Sequence, residues 1–186
     1  RIVVDATHPF ATLASGNIRA ASLAVGARCL RLARPVEALP KGVVSVASIA
    51  CAARFLSENP GRALLTTGSK ELAPYTCVTD FAERFFVRVL PLPGAITKCI
   101  DAGFSPSHVI GMQGPFTREL NEAMLRQVGA QWLVTKDSGT VGGTAEKIAS
   151  ARDVGARCIV VTRPAEGGGA LSLREVEDAL LREFAC

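Results

Sequence analysis

Aromatic side chains are scarce in this sequence: of 186 residues one is Trp and one is Tyr, and no run of Lys and Arg stands out. The net charge of +4 is mild and scattered. It suits an anionic small molecule and argues against nucleic acid, whose binding calls for a basic stripe. Long apolar runs are missing as well. The longest uncharged stretch, 102–117, is broken by Gly, Pro, His and Gln, whereas a membrane helix needs about 20 mainly apolar residues. No membrane span is expected. Nor is a secretory signal, because no basic start leads into an apolar core and a small-residue cleavage site. Histidine occurs only at 8 and 108, and no Ser-His-Asp spacing or carboxylate pair suggests hydrolysis. The cysteines at 29, 51, 77, 99, 158 and 186 form no CxxC and no Cys/His cluster. That argues against zinc and iron–sulfur sites, and no metal is expected. Five of the six fall in apolar helix or strand patterns, so they read as buried free thiols of a cytoplasmic protein.

What the sequence does have is hydrophobic content of 48% with 20% charge, the balance of a globular chain able to bury a core. The length allows one full domain and part of another. Apolar β-branched runs at 2–5, 28–32, 43–46, 63–66, 85–89, 108–112, 132–135 and 158–162 predict strands. Several are continuous rather than alternating, as expected for strands covered on both faces. Between them, helical periodicity predicts helices at 11–25, 47–58, 94–102, 118–128, 144–154 and 172–184. Ser172 and Glu175 read as a capping box. Gly26, Gly103, Gly129 and Gly155 stand where left-handed C-caps belong. Strand–helix alternation implies right-handed βαβ units, hence an α/β fold with a doubly wound parallel sheet. Two prolines in 34–42 interrupt the alternation and suggest a boundary there. Residues 1–42 then read as a partial N-terminal domain and 43–186 as a complete C-terminal one.

In doubly wound sheets, ligands bind beyond the carboxyl ends of the strands, and four such ends carry polar or Gly-rich residues. In 5–11, Thr7 and His8 can hydrogen-bond a ligand while Pro9 fixes the turn; an N-capping Thr with Pro near N1 explains the spacing equally well. In 66–72, Thr67, Gly68, Ser69 and Lys70 can hold a phosphate or carboxylate at a helix start, or Ser69 simply caps a short helix. In 111–117, Gln113 offers a donor and an acceptor, Gly114-Pro115 makes a turn, and Thr117 caps the next helix. In 134–139, Lys136, Asp137 and Ser138 end a buried strand. Charges there are costly unless they pair with each other or meet a ligand. Lys147, in the helix after Gly143, is expected to point outward. His108 begins a strand and reads as structural.

Taken in order, VVDATHPFA (3–11), LRLARP (30–35), LLTTGSKEL (64–72), FFVRVLP (85–91), MQGPFTRELN (112–121), LVTKDSG (133–139), GGTAEKI (142–148) and IVVTRP (159–164) resemble the precorrin-6A and cobalt-precorrin-6A reductases of corrin biosynthesis. The resemblance covers almost the whole chain. It implies two flavodoxin-like or Rossmann-like domains with ligands in the cleft between them, and NADPH-dependent reduction of one double bond of a tetrapyrrole to give precorrin-6B. Thr7, His8 and Pro9 would then lie on the NADP side. Arg34, Thr67, Gly68, Ser69, Lys70, Gln113, Gly114, Lys136, Asp137 and Ser138 would meet the substrate, whose carboxylates suit Arg34, Lys70 and Lys136. Lys136, or else His8, would deliver the proton. Two departures stand out. Family members begin with a strand and a Gly-Gly-Thr-type turn well before the THPF motif, and neither is present here. Val36-Glu37 replace a position that is aromatic in many members. The alternative is a catalytically inactive tetrapyrrole-binding α/β module without nucleotide binding.

Overall fold

The computed structural model describes residues 1–33, 38–139, 142–164 and 169–184. In chain order the elements are β1 (Ile2–Asp5), α1 (Thr12–Ala24), β2 (Arg28–Arg31), β3 (Val44–Val46), α2 (Ile49–Glu58), β4 (Ala63–Leu65), α3 (Ala73–Thr76), α4 (Phe81–Arg84), β5 (Phe85–Val89), α5 (Pro93–Asp101), a 3₁₀ turn (Pro106–His108), β6 (Val109–Gly111), α6 (Arg118–Gln127), β7 (Trp132–Lys136), α7 (Thr144–Asp153), β8 (Arg157–Val161) and α8 (Leu173–Phe184). All eight expected strands and six expected helices are there, with ends shifted by a residue or two.

The chain divides into two units, Arg1–Glu37 with Arg163–Cys186, and Ala38–Thr162. This differs from a boundary at 42 with everything after it in one domain. The reason is the C-terminal helix. Val176 and Ala179 of α8 bury against Leu30 of β2 with Ile2, Leu32 and Leu171 around them, and Leu32 bridges Leu171. That apolar face of α8 is used up within the first unit. Its capping box forms as expected: the Ser172 amide and hydroxyl donate to Glu175, and the Glu175 amide donates to the Ser172 hydroxyl.

In the first unit β1 and β2 pair in parallel, Ile2 opposite Arg28 through Asp5 opposite Arg31. The second unit holds a six-stranded, wholly parallel sheet in the order β3-β8-β7-β4-β5-β6. Its strands alternate between two covered faces. Leu64, Leu133, Cys158 and Val160 bury against Met124, Leu125, Ile148 and Ala151 of α6 and α7. On the other face Trp132 meets Phe55 of α2 and Tyr75 of α3 meets Phe85, both edge-on. Side chains such as Leu64, Leu133, Phe85 and Ile159 are at most 1% exposed, each worth about 1.5–3 kcal/mol of burial. The fold is therefore α/β and doubly wound. The four predicted C-cap glycines all take positive φ, between 62° and 92°. Among the described residues no helix is long and apolar enough to cross a membrane. The five described cysteines are free thiols, but only Cys99 and Cys158 are buried and Cys77 is exposed; Cys186 lies outside the described residues.

Candidate functional site

From β4 the chain winds outward through β5 to β6, returns to β7, and continues the other way to β8. The connections leaving β4 and β7 therefore diverge, and in such sheets the crevice lies beyond those two carboxyl ends. The loops that leave there are 66–72 and the one that begins at 137. They are joined at their roots, where the Thr66 amide and hydroxyl both donate to the Val134 carbonyl at 2.8 Å. Further out, the Lys136 ammonium donates to Glu71 at 2.7 Å, with side chains 17% and 54% exposed. A pair this wet adds at most about 1 kcal/mol to stability, so its effect is to aim the ammonium across the crevice. Glu71, from the opposite loop, is a partner of Lys136 that the sequence did not single out.

Thr67, Gly68, Ser69 and Lys70 share that crevice wall. Thr67 is buried with its hydroxyl 3.5 Å from the Tyr75 hydroxyl. Gly68 has φ 81° with open space where a side chain would project, so the loop turns there without crowding the crevice. Ser69 does not cap a helix: α3 is one turn long, starts at Ala73, and has Leu72 at its N-cap. The expected helix start at this loop is thus replaced by a bend. Lys70 is exposed. On the β7 side the Asp137 amide donates to the Val161 carbonyl, and its carboxylate accepts from the Gly139 amide at 3.4 Å. The Ser138 amide donates to the Thr144 hydroxyl at 3.1 Å. A side chain at Gly142 would collide with that of Ser138, which explains the glycine.

Gln113 and Gly114 follow β6, on the same edge of the sheet but two strands out from β4, roughly 10 Å at the usual strand spacing. Gln113 is exposed. Gly114 instead joins a pocket of about 600 Å³ with Phe116, Asn121, Gly142, Gly143, Glu146 and Lys147. The Thr117 hydroxyl caps α6 as expected, accepting from the Leu120 amide at 3.3 Å.

Lys147 corrects the sequence reading. It does not point outward but is half-buried, its ammonium donating to the Gly142 carbonyl at 2.8 Å. The helical period explains this, since Lys147 shares a face with the buried Thr144 and Ala151. Nearby, Arg88 of β5 is 5% exposed. Its guanidinium donates to Asn121 at 2.8 Å and lies 3.9 Å above the Phe116 ring. Burial pulls the Arg88 guanidinium down to about 10. Burial and then the Arg88 charge pull the Lys147 ammonium down to about 8. Sequence reasoning missed Arg88, Asn121, Lys147 and Glu71. A signal for Arg88 was available, because a charge inside the run Phe85-Phe86-Val87-Arg88-Val89 must face a covered side.

The first unit carries the remaining predicted residues. Asp5, 3% exposed, ends β1 and pairs with Arg31 of β2 at 2.9 Å. The Thr7 amide and hydroxyl donate to the same carboxylate, and Arg31 also donates to the hydroxyls of Thr7 and Ser15. Burial works against the Asp5 carboxylate, but the bonds from Thr7 and Ser15 and the Arg31 charge outweigh it and hold the carboxyl below its ordinary range. Thr7 neither caps α1, whose N-cap is Ala11, nor keeps its hydroxyl for a ligand. It fastens the loop. His8 stacks on Phe10 with ring centroids 5.7 Å apart, and its Nδ1 accepts from the Phe10 amide; Pro9 is buried. Arg34 lies outside the described residues. His108 ends the 3₁₀ turn and stacks on Phe86 at 3.8 Å, a structural placement.

The profile of the family described as precorrin-6x reductase CbiJ/CobK matches residues 1–182. The chain is 39% identical over 168 residues to a cobalt-precorrin-6A reductase of Methanothermobacter thermautotrophicus, covering 88% of this chain and 54% of that protein. It is 37% identical to the cobalt-precorrin-6A reductase of Salmonella typhimurium, with coverage of 88% and 63%. To that of Priestia megaterium it is 33% identical, with coverage of 98% and 74%. Among solved structures, one titled CobK precorrin-6A reductase superposes with a TM-score of 0.76 at 26% identity, covering 99% of this chain and 74% of that one. The chain thus spans between about half and two thirds of the length of the first two relatives.

Proposed function

The chain belongs to the precorrin-6x reductase family, and on that premise we propose that the whole protein reduces one double bond of the precorrin-6A or cobalt-precorrin-6A macrocycle with NADPH, giving precorrin-6B in cobalamin biosynthesis. The observation that carries this reading is the meeting of the 66–72 loop and the end of β7 at the switch point, through Lys136 and Glu71. NADPH supplies the hydride when bound. The chain's own residues bind and orient the macrocycle and move a proton.

Lys136, aimed by Glu71, is the first choice for the proton and for a substrate carboxylate. Lys70 offers a further cation, the expected Arg34 lies outside the described residues, and the Gly68 turn leaves room for the flat macrocycle against Thr67 and Ser69. Gln113, Gly114, Asp137 and Ser138 complete the polar edge. On the nucleotide side, Thr7 does not fit as a direct ligand because its hydroxyl is engaged by Asp5 and Arg31. His8 and Pro9 remain as the part of that loop to face the nicotinamide cofactor, and His8 is the second choice for the proton.

The test uses the full-length parent and follows loss of NADPH absorbance with the tetrapyrrole present. Lys136→Ala is expected to lower kcat/KM by tenfold or more, about 1.4 kcal/mol, with little change in NADPH binding. Lys98→Ala, on the exposed side of α5, should match the parent. Equal behaviour of the two variants would make Lys136 an ordinary surface charge and remove it from the site. An NADP titration of the 186-residue chain separates the reductase from a tetrapyrrole-binding module without a nucleotide site.

A further inference from the structure

Arg88 and Lys147 are two cations withdrawn from water in one neighbourhood, and neither has a carboxylate within ion-pair distance among the described residues. Arg88 is met by an amide oxygen at 2.8 Å, the Met124 sulfur at 3.4 Å and an aromatic face. Lys147 is met by one backbone carbonyl. Glu146 reaches the same pocket but pairs with neither. Buried charges are ordinarily matched by opposite ones, since each costs several kcal/mol to desolvate alone. Here a like charge stands nearby instead, and Arg88 makes Lys147 harder to keep ionised. A solvent-connected pocket of about 600 Å³ opens at this spot, with Lys147 in its wall and with Asn121 and Phe116, the partners of Arg88, beside it. The first turn of α7 adds backbone amides at Gly143 that have no partner within the helix.

We infer that this pocket binds an oxyanion, a carboxylate or phosphate group of the protein's ligand, held by Lys147 and the start of α7 with Arg88 as the positioning charge behind it. An anion there would supply the missing opposite charge to both cations at once. The pocket stands on its own geometry; only the identity of the ligand rests on the reductase reading. Two sources fit the chemistry, an acid side chain of the tetrapyrrole and a phosphate of the nucleotide.

The experiment titrates the isotope-labelled 186-residue chain with inorganic pyrophosphate and, separately, with a porphyrin octacarboxylate. Affinity is read by calorimetry and the amide signals of Gly142 and Gly143 are followed by NMR. Saturable movement of those two signals is expected with at least one probe. Tighter binding of pyrophosphate identifies the phosphate source, and tighter binding of the porphyrin the carboxylate source. Lys147→Met should weaken the preferred probe about tenfold or more, while Lys147→Arg keeps most of the affinity because charge-assisted bonds survive. Lys98→Met should change nothing. If Lys147→Met proves unfolded, the glycine signals of the unsubstituted chain still decide the matter. The inference is overturned if neither probe moves them saturably, or if folded Lys147→Met binds as the parent does. Its failure would leave reductase activity of the full-length protein intact, and loss of the reductase reading would leave Lys147-dependent anion binding in place.

Discussion

Asp5 and Lys147 are both ionisable groups withdrawn from water, and their surroundings treat them in opposite ways. Asp5 is surrounded by donors that favour its charged form; Lys147 is not. For Asp5 the sign of the linkage follows directly. Its folded pKa lies below the unfolded one, so its contribution is complete above the unfolded value, near pH 4, and is lost as pH falls through the folded value. Asp5→Asn should therefore cost the first unit about 2 kcal/mol or more at neutral pH by removing the buried carboxylate that pairs with Arg31. The gap to the parent should narrow in denaturant titrations below about pH 4; a constant gap across that range would deny the carboxylate this role. At this scale the sequence was only partly legible. Lys136 could be picked out because a cation follows four apolar or β-branched residues. Arg88 left one sign, a charge inside the apolar β5 run, but Lys147 left none, because its importance comes from the Arg88 charge that the sheet order brings near it.

Helix ends were the most legible elements, because capping is a local chemistry written in neighbouring residues. The Ser172–Glu175 box and the Thr117 cap formed at the positions read for them. Ser172→Ala should destabilise α8 by about 1 kcal/mol, seen as a lower midpoint of urea unfolding in the first unit; no change would mean the cap is redundant with the packing of Val176 and Ala179. The one-turn helices α3 and α4 escaped detection since four residues carry no periodicity to detect. Their positions follow from tertiary contacts, Tyr75 under Phe85 and Arg84 donating to the carbonyls of Leu56, Asn59 and Gly61. The same limit explains Ser69: a cap needs a helix long enough to benefit, and the loop before α3 leads into a single turn.

For the whole molecule, the class and the parallel sheet were legible from alternation alone, whereas the pairing of α8 with the first unit was not. Periodicity reports that a helix has an apolar face but not which partner covers it. Since all six strands of the large sheet, with α2 to α7, lie within Ala38–Thr162, that stretch should fold when expressed by itself. A single cooperative thermal transition with dispersed amide signals is the expected outcome, and a molten or unfolded product would show that the residues outside it are needed.

The interleaving of the two units has a consequence for synthesis on the ribosome. β1, α1 and β2 emerge early, but Val176 and Ala179, which cover Leu30, emerge only after the entire second unit has been made. At ordinary elongation rates the wait is on the order of ten seconds. Throughout it the larger unit can complete its sheet while Leu30 lacks the cover that Val176 and Ala179 give it.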